Sequence, residues 1–281
     1  MNINTELSKM NLLTPPLQPG INCAAKLYRE SVECWNSASL KDRALFYQFS
    51  TGDFDTDTVV VPDACMNILI KCGTDYSQAR VYGLFSEPQT IKLEPNSTYF
   101  GIKPYSNTGI HEDKMRLKDL RNQGVELGCL FANSERFLER LCEKENFKER
   151  VALFKEYASR EIIDYEYQTG VVDYFTVLSC VADGDKQYRD FVGQIGYSDR
   201  YFRACFNEVF GIAPKVYTCI MRFQHVLRDY ISRGNMDDDV YLDYGYYDQA
   251  HFIKEFRRFT FMSPKQYLNM CRREMLINGS S

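Results

Sequence analysis

The sequence predicts an α+β protein in three parts: a small β-barrel or sandwich, a run of helices, and an all-α tail. Three observations support this. Between about residues 40 and 110, short runs rich in Val, Ile, Tyr and Phe alternate with Gly, Pro, Asn and Asp. From about residue 114 the apolar residues recur at helical spacing instead. Within the last hundred residues one pattern occurs twice.

The chain has 281 residues, 44% hydrophobic and 26% charged, which is ordinary for a globular protein and long enough for two domains. Its start, MNINTELSKMNLLTPPLQPG, has no basic segment leading into an apolar one, so no signal peptide is expected. No run approaches the roughly 18 apolar residues of a membrane span. A cytoplasmic protein without membrane contact is the expectation.

The strand candidates are LFYQFS, DTVVVPDA, MNILIKCG, ARVYGLFS, QTIKLEPN and TYFGIKPY. Regular short strands with such punctuation predict a small antiparallel barrel or sandwich, placed at residues 1–113. Small barrels hold small ligands in their interior, and Phe100 and Ile102 are the candidate effector-lining residues. Residues 114–184 read as a helical linker, with Asn133-Ser134 starting a helix that carries Phe137, Leu138 and Leu141 inward. A second helical pattern places Val151, Phe154 and Tyr157 on one face, and DYFTVLSCVADGD predicts a third helix stopped at Gly184.

The tail, residues 185–281, repeats a unit. FVGQIGYSDRYFRACFNEVFGIAPKVY aligns with VYLDYGYYDQAHFIKEFRRFTFMSPKQY, so that Gly196 meets Gly245, Phe202 and Phe206 meet Phe252 and Phe256, and Pro214 meets Pro264. Each copy predicts a helix, a Gly-containing turn, a capped helix and a Pro-opened helix: a helix-turn-helix with a support helix, present twice. MRFQHVLRDYISRG joins them as one long helix. Its own caps and apolar faces predict that the segment 184–281 folds and binds DNA alone.

A helix entering the major groove needs a capped start, an apolar inner face and long polar groups outside. Ser198 and Asp248 are the caps, and Phe202, Phe206, Phe252 and Phe256 the inner faces. The outer faces offer Arg200, Tyr201, Arg203 and Asn207 in the first copy and Gln249, His251, Lys254, Arg257 and Arg258 in the second. Arg pairs with guanine, Gln with adenine, and the remaining cations with phosphate. In a single copy these residues read equally well as a solvated helix face. Two copies joined by a long helix favour a pair of reading heads. Residues 186–281 carry 14 basic against 11 acidic side chains, a local +3 within a chain of net charge −4.

Ten cysteines show no CxxC spacing, and three histidines, His111, His225 and His251, show no ligand spacing. Reduced, mostly buried thiols are therefore expected, with no metal, cofactor or catalytic residue. A redox or metal role for Cys65 and Cys72 stands as the lesser reading.

Residues 186–270 resemble the paired helix-turn-helix domain of the AraC/XylS family of bacterial transcription regulators. GYYDQAHFIKEFRRFTFMSPKQYL is similar to the family signature of glycine, aromatic, acidic cap, basic helix, Ser-Pro and Tyr. YSDRYFRACFNEVFGIAPKVYTCIMRF resembles its partner. VVPDACMNILI and YFGIKPYS more loosely resemble strands of a cupin-like sensor domain found in one branch. The resemblance implies base-facing positions at Tyr201, Arg203 and Ala204, then at Gln249, Ala250, His251, Ile253 and Lys254. The chain departs from it at Ala204, where a basic residue is common, and at Tyr241, where a small one is. The resemblance implies a DNA-binding transcription regulator that is not an enzyme. Its partners would be double-stranded DNA, a small-molecule effector, RNA polymerase for an activator, and a second copy in a homodimer. Two alternatives remain open: a degenerate regulator acting as an interaction protein, and a cysteine-dependent DNA-repair methyl acceptor, which would need an activated thiol.

Overall fold

RALFYQFS carries the unbroken apolar run ALFY, the mark of a strand covered on both faces. In the computed structural model this stretch is β2 (Arg43–Ser50), flanked by β1 (Leu27–Cys34) and β7 (Thr98–Pro104). The structure describes residues 16–34, 43–73, 78–104, 117–131, 133–161, 175, 192–193, 196–234 and 240–278. The six-stranded antiparallel sheet runs β1-β2-β7-β4-β5-β8, with β4 (Asn67–Cys72), β5 (Gln78–Tyr82) and β8 (Gly124–Glu126). β3 (Thr56–Val60) and β6 (Gln89–Leu93) form a second, two-stranded sheet.

The α+β class stands, but the front domain is two sheets rather than a closed barrel. The alternation along β2 builds two cores. Ala44 and Phe46 join Ile68, Ile70, Phe100 and Ile102 on one face. Leu45, Tyr47 and Phe49 join Tyr99, Val60 and Leu93 on the other.

The first core is closed by α2 (Ser134–Cys142) and α3 (Phe147–Glu161), through Phe137, Leu141, Val151 and Phe154. α2 starts at the expected Asn133, which sits in the left-handed region at φ 54°. These helices, expected as a linker, cover the sheet instead. Amphipathic periodicity shows that a helix buries one face but not which surface receives it. Phe154 meets Phe46 edge-on at 5.8 Å, one of the contacts that decides it.

Two strands escape the sequence reading. β1, LYRESVEC, is a partly exposed edge strand with charges along it, which hides its apolar alternation. β8 lies between 3-10 turns at Leu117–Leu120 and Leu127–Cys129, where helix was expected, and pairs with β5. The helix expected at DYFTVLSCVADGD lies outside the described residues, except for Phe175.

The tail comprises α4 (Asp199–Phe210), α5 (Pro214–Arg233), α6 (Gln249–Thr260) and α7 (Pro264–Asn278). Its aromatic core also takes in Cys23, Val61, Ala64 and Leu84 of the front half. α1 (Pro19–Ala24) packs between β3 and α7. Three polar clasps fasten the junction. Gln224 of α5 donates to the carbonyl oxygens of Pro62 (2.8 Å) and Leu17 (3.3 Å) and accepts from the Leu17 N–H (2.9 Å). Lys118 donates to both carboxylate oxygens of Glu208, each at 2.6 Å. Arg121 donates to the Gly211 carbonyl at 3.2 Å.

Gly211 is obligatory for two reasons. It ends α4 at φ 69°, and a Cβ there would lie 2.8 Å from the Lys118 Cα. The end of α4 is thus seated on the front domain, while the predicted independence of the tail meets a core that is partly shared.

Candidate nucleic-acid interface

The two copies fold alike from their first caps onward. The Ser198 hydroxyl accepts from the Tyr201 N–H at 3.2 Å, and the Asp248 carboxylate accepts from the His251 N–H at 2.7 Å. Each cap satisfies one of the free donors at a helix start, a contribution of about 1 kcal/mol. Both helices have 12 residues. Phe206 meets Tyr217 at 5.4 Å and 77°, and Phe256 meets Tyr267 at 5.7 Å and 77°. The aromatic edge contact that fixes each helix on its support helix is therefore duplicated along with the sequence.

The turns differ. With Ser198 and Asp248 in register, Gly196 falls opposite Tyr246 and not Gly245. Both glycines have positive φ, 69° and 73°, so each turns the chain, but the second turn holds one more residue. That residue, Tyr246, is buried and lies under the Arg222 guanidinium at 4.4 Å. Arg222 pairs with Glu255 through Nε (3.2 Å) and Nη2 (2.7 Å), and its Nη1 reaches the Gly245 carbonyl at 3.4 Å. One buried arginine on α5 thus holds both the turn and the inner side of α6.

The first helix of the second copy is shorter than expected. Val240–Tyr244 is a 3-10 turn ended at Gly245, too short to close successive α-helical bonds. Tyr241 does not stand off the domain; its ring stacks on Phe252 at 6.0 Å and 7°. The run Asp237 to Asp239 lies outside the described residues. In the first copy Val192 packs partly buried on the tail core, and the Phe175 ring meets Phe202 at 5.2 Å and Phe206 at 5.5 Å.

The outer faces carry the expected polar set. Arg200, Tyr201, Arg203, Ala204 and Asn207 are exposed on α4. Gln249, Ala250, His251, Lys254, Arg257 and Arg258 are exposed on α6, and Ile253 is half-buried. Arg203 forms an i,i+4 pair with Asp199 at 2.7 Å. Such an exposed pair is worth about 0.3–0.5 kcal/mol, so little opposes its exchange for another acceptor. The His251 ring takes the Tyr247 N–H on Nδ1 at 3.3 Å, and Arg258 lies 5.3 Å over the Phe259 ring. Within the run KEFRR, Glu255 is the one charged residue turned inward, beside Phe256.

Two exposed tyrosines escaped the sequence reading. Tyr197 (52% exposed) and Tyr247 (87% exposed) each directly precede a cap. Aligning the repeats on their caps rather than on their glycines would have paired them. Tyr197 stacks on Tyr201 at 5.1 Å.

α5 connects the two units. α4 packs on its beginning through Tyr217 and α6 on residues 222–230 through Phe223 and Tyr230. Its 20 residues span about 30 Å at 1.5 Å per residue.

Phe100 and Ile102 are fully buried against the α2–α3 layer. The strand pleat turns Tyr99 to the opposite face, where an open cleft of about 200 Å³ lies between the two sheets. Lys71, Arg80, Lys92, Tyr82, Tyr99 and Glu94 line it.

Among the described residues no group of three or more His, Cys, Asp or Glu side chains is arranged to hold a metal ion. None of their helices is long and apolar enough to cross a membrane. Nine cysteines are described, all as thiols: Cys23 and Cys271 are buried, Cys129 is exposed, and the others are half-buried, less enclosed than expected.

Residues 192–270 match a helix-turn-helix domain family, and residues 42–126 match a domain of unknown function, DUF6597. The C-terminal part is a helix-turn-helix domain of the AraC type. The second match runs from β2 to β8. No curated protein matches the chain.

Among solved structures, an apo point variant of ToxT from Vibrio cholerae is 11% identical, with 84% of this chain and 99% of that one covered and a TM-score of 0.45. ToxT from Vibrio cholerae O395 is 11% identical, with 87% and 98% covered and a TM-score of 0.41. Wild-type ToxT of strain SCE256 with a bound unsaturated fatty acid is 12% identical, with 86% and 95% covered and a TM-score of 0.40.

Proposed function

We propose that this protein is a sequence-specific, effector-responsive transcription regulator that reads two major-groove segments with α4 and α6. The observation that carries the reading is the duplication itself: two capped helices, each seated by the same aromatic contact and each facing outward with long polar groups. A solvated helix face has no need of a second copy built with the same cap and the same aromatic seat.

We assign Arg203, beside Tyr201 and Arg200, to base readout by the first head and Gln249 to base readout by the second. Arg257 and Arg258, in the last turn of α6, suit phosphate. Ser198 and Asp248 serve through their caps, and Asn207, His251 and Lys254 complete the two outer faces. Residues 185–281 then form the DNA-binding unit, and the front half, with its α2–α3 layer, forms the sensing unit.

Arg203→Ala is expected to weaken binding by about 1–3 kcal/mol, concentrated on one or two base pairs. Arg257→Ala should weaken binding nearly uniformly across sequences, and Gln249→Ala should relax preference at a separate subsite. Competition binding against single-base operator variants measures all three. Equal, uniform losses for Arg203→Ala and Arg257→Ala would contradict the division of labour. An absence of salt-sensitive binding would point to an interaction protein instead.

The effector seat is assigned to the cleft between the sheets, in place of Phe100 and Ile102. Lys71, Arg80 and Lys92 face this space with two tyrosines; Lys71 is paired with Glu94 and Lys92 with Asp55, pairs that a compact anionic ligand would exchange. A thermal-shift series of small organic acids should raise the melting temperature of the wild type and not of Arg80→Ala. Equal shifts in both would remove the cleft from consideration.

A further inference from the structure

α6 ends on an anomaly. Phe261 closes the helix at φ 62°, in the left-handed region, with its N–H bonded to the Arg257 carbonyl at 2.9 Å. The other positions of positive φ among the described residues of the tail, Gly196, Gly211, Gly234 and Gly245, are all glycine. A bulky residue is disfavoured there because its Cβ crowds a carbonyl oxygen. The residue is also 63% exposed, so it forgoes the burial that would offset the strain. Neither backbone geometry nor packing calls for phenylalanine here. Strain of this kind is kept where something outside the fold uses it.

The position indicates what that is. With the caps in register, Phe261 stands where the first copy has Gly211, and Arg258 where it has Glu208. At the end of α4 the front domain fills this place: Lys118 pairs with Glu208, and Arg121 reaches the Gly211 carbonyl. The same cationic turn of a second copy would be repelled by Arg258 and blocked by the ring. Phe261 instead continues the outward stripe of α6, in which the exposed Lys254, Arg257 and Arg258 precede it by seven, four and three residues. The one acidic side chain of α6, Glu255, is turned inward onto Arg222. The stripe therefore suits an anionic surface, and the ring at its end suits an apolar patch set among the charges. The DNA backbone has that alternation, with the C–H edges of deoxyribose between its phosphates.

We propose that Phe261 packs on deoxyribose at the DNA backbone, beside the phosphates held by Arg257 and Arg258. The contact rests on the reading of α6 as a DNA-facing helix. The ring is neutral and meets sugar rather than base edges, so it adds affinity without sequence preference. Its burial in the complex offsets a strain that the free protein carries uncompensated.

The test compares the full chain with Phe261→Gly, Phe261→Asn and Phe261→Tyr on a fluorescent duplex that the wild type enriches from a random-sequence pool. Glycine and asparagine accept the left-handed conformation. Both should raise the melting temperature, by roughly 2–4 °C. Both should nevertheless bind the duplex about five- to tenfold more weakly, through lost apolar burial. Phe261→Tyr keeps the ring and should bind no more weakly than the wild type. A neutral ring displaces no counterion, so the salt dependence of Phe261→Gly should match the wild type, whereas Arg257→Ala should flatten it. Single-base changes in the duplex should weaken Phe261→Gly and the wild type by equal factors. Unchanged affinity in Phe261→Gly and Phe261→Asn, beside a weakened Arg257→Ala, overturns the ring contact and leaves the reading of α6 standing. If those two variants then change transcription from that duplex in vitro, the ring serves a protein partner. A lowered melting temperature shows that the ring holds the fold, and also overturns the proposal. A pool from which the wild type enriches no salt-sensitive binder removes the reading of α6 and the ring contact together.

Discussion

Arg222→Ala is expected to lower the stability of the helical domain by about 3–5 kcal/mol, the cost of leaving a buried charge without its partner. Arg222 and Glu255 have side chains only 8% and 9% exposed, and their pairing is bidentate. Removing the guanidinium leaves the Glu255 carboxylate buried without its partner. It also strips Tyr246 of its cation and the Gly245 carbonyl of a donor. The second turn is one residue longer than the first, and that extra residue rests on Arg222. The damage should therefore reach the orientation of α6.

Urea unfolding followed by circular dichroism gives the magnitude. The double variant Arg222→Met, Glu255→Leu should recover most of the loss, because an apolar pair of similar volume removes both charges at once. A cost below about 1 kcal/mol for Arg222→Ala would show that the pair is wetter than its burial implies. DNA binding by the double variant separates stability from reading, since neither residue faces outward.

Asp63→Ala should be of similar size, about 3–5 kcal/mol, in the front half. Asp63 pairs with Lys103, and the two side chains are 4% and 2% exposed. Asp63 also accepts from the Gln18 side chain at 2.7 Å and from the Cys65 N–H at 3.2 Å. Gln18 in turn closes a two-way bond with the backbone of Val61, at 2.7 and 3.0 Å. Leu17 and Pro62, the neighbours of this network in sequence, are the two residues that Gln224 grips.

Loss of Asp63 thus leaves a buried ammonium unpaired and loosens the seat of α5. Asp63→Asn keeps one acceptor oxygen, for Gln18 and Lys103, but sets an amide N–H against the Cys65 N–H, and should cost less than Asp63→Ala. Lys103→Met should cost less than Asp63→Ala, because the carboxylate retains two other donors. If denaturant unfolding ranks these variants in another order, Lys103 is not the group that makes Asp63 necessary. Limited proteolysis near residue 17 would report release of the junction.

The sequence by itself determined the architecture of the two helix-turn-helix units and most of the sheet. Ser198, Asp248, Pro214, Pro264 and the paired phenylalanines act within a few residues of where they stand. Capping and helical periodicity are local, and a duplicated local signal is hard to mistake. Strands β2 to β7 were legible for the same reason, through runs of apolar residues between turn-formers.

The rest depended on contacts between residues far apart in the chain. LYRESVEC becomes a strand only because β2 offers it an edge. The helices after Asn133 become a wall of the front domain because Phe46 and Phe154 meet. Phe100 and Ile102 are aliphatic and aromatic enough to line a ligand site, yet the phase of one strand's pleat turns them into the core beneath α2 and α3. Arg222 and Glu255 are charged residues in helices that periodicity alone would have left in water. Pleat phase, edge pairing and buried charge are set by which surface arrives opposite. Only the tertiary structure decided that surface.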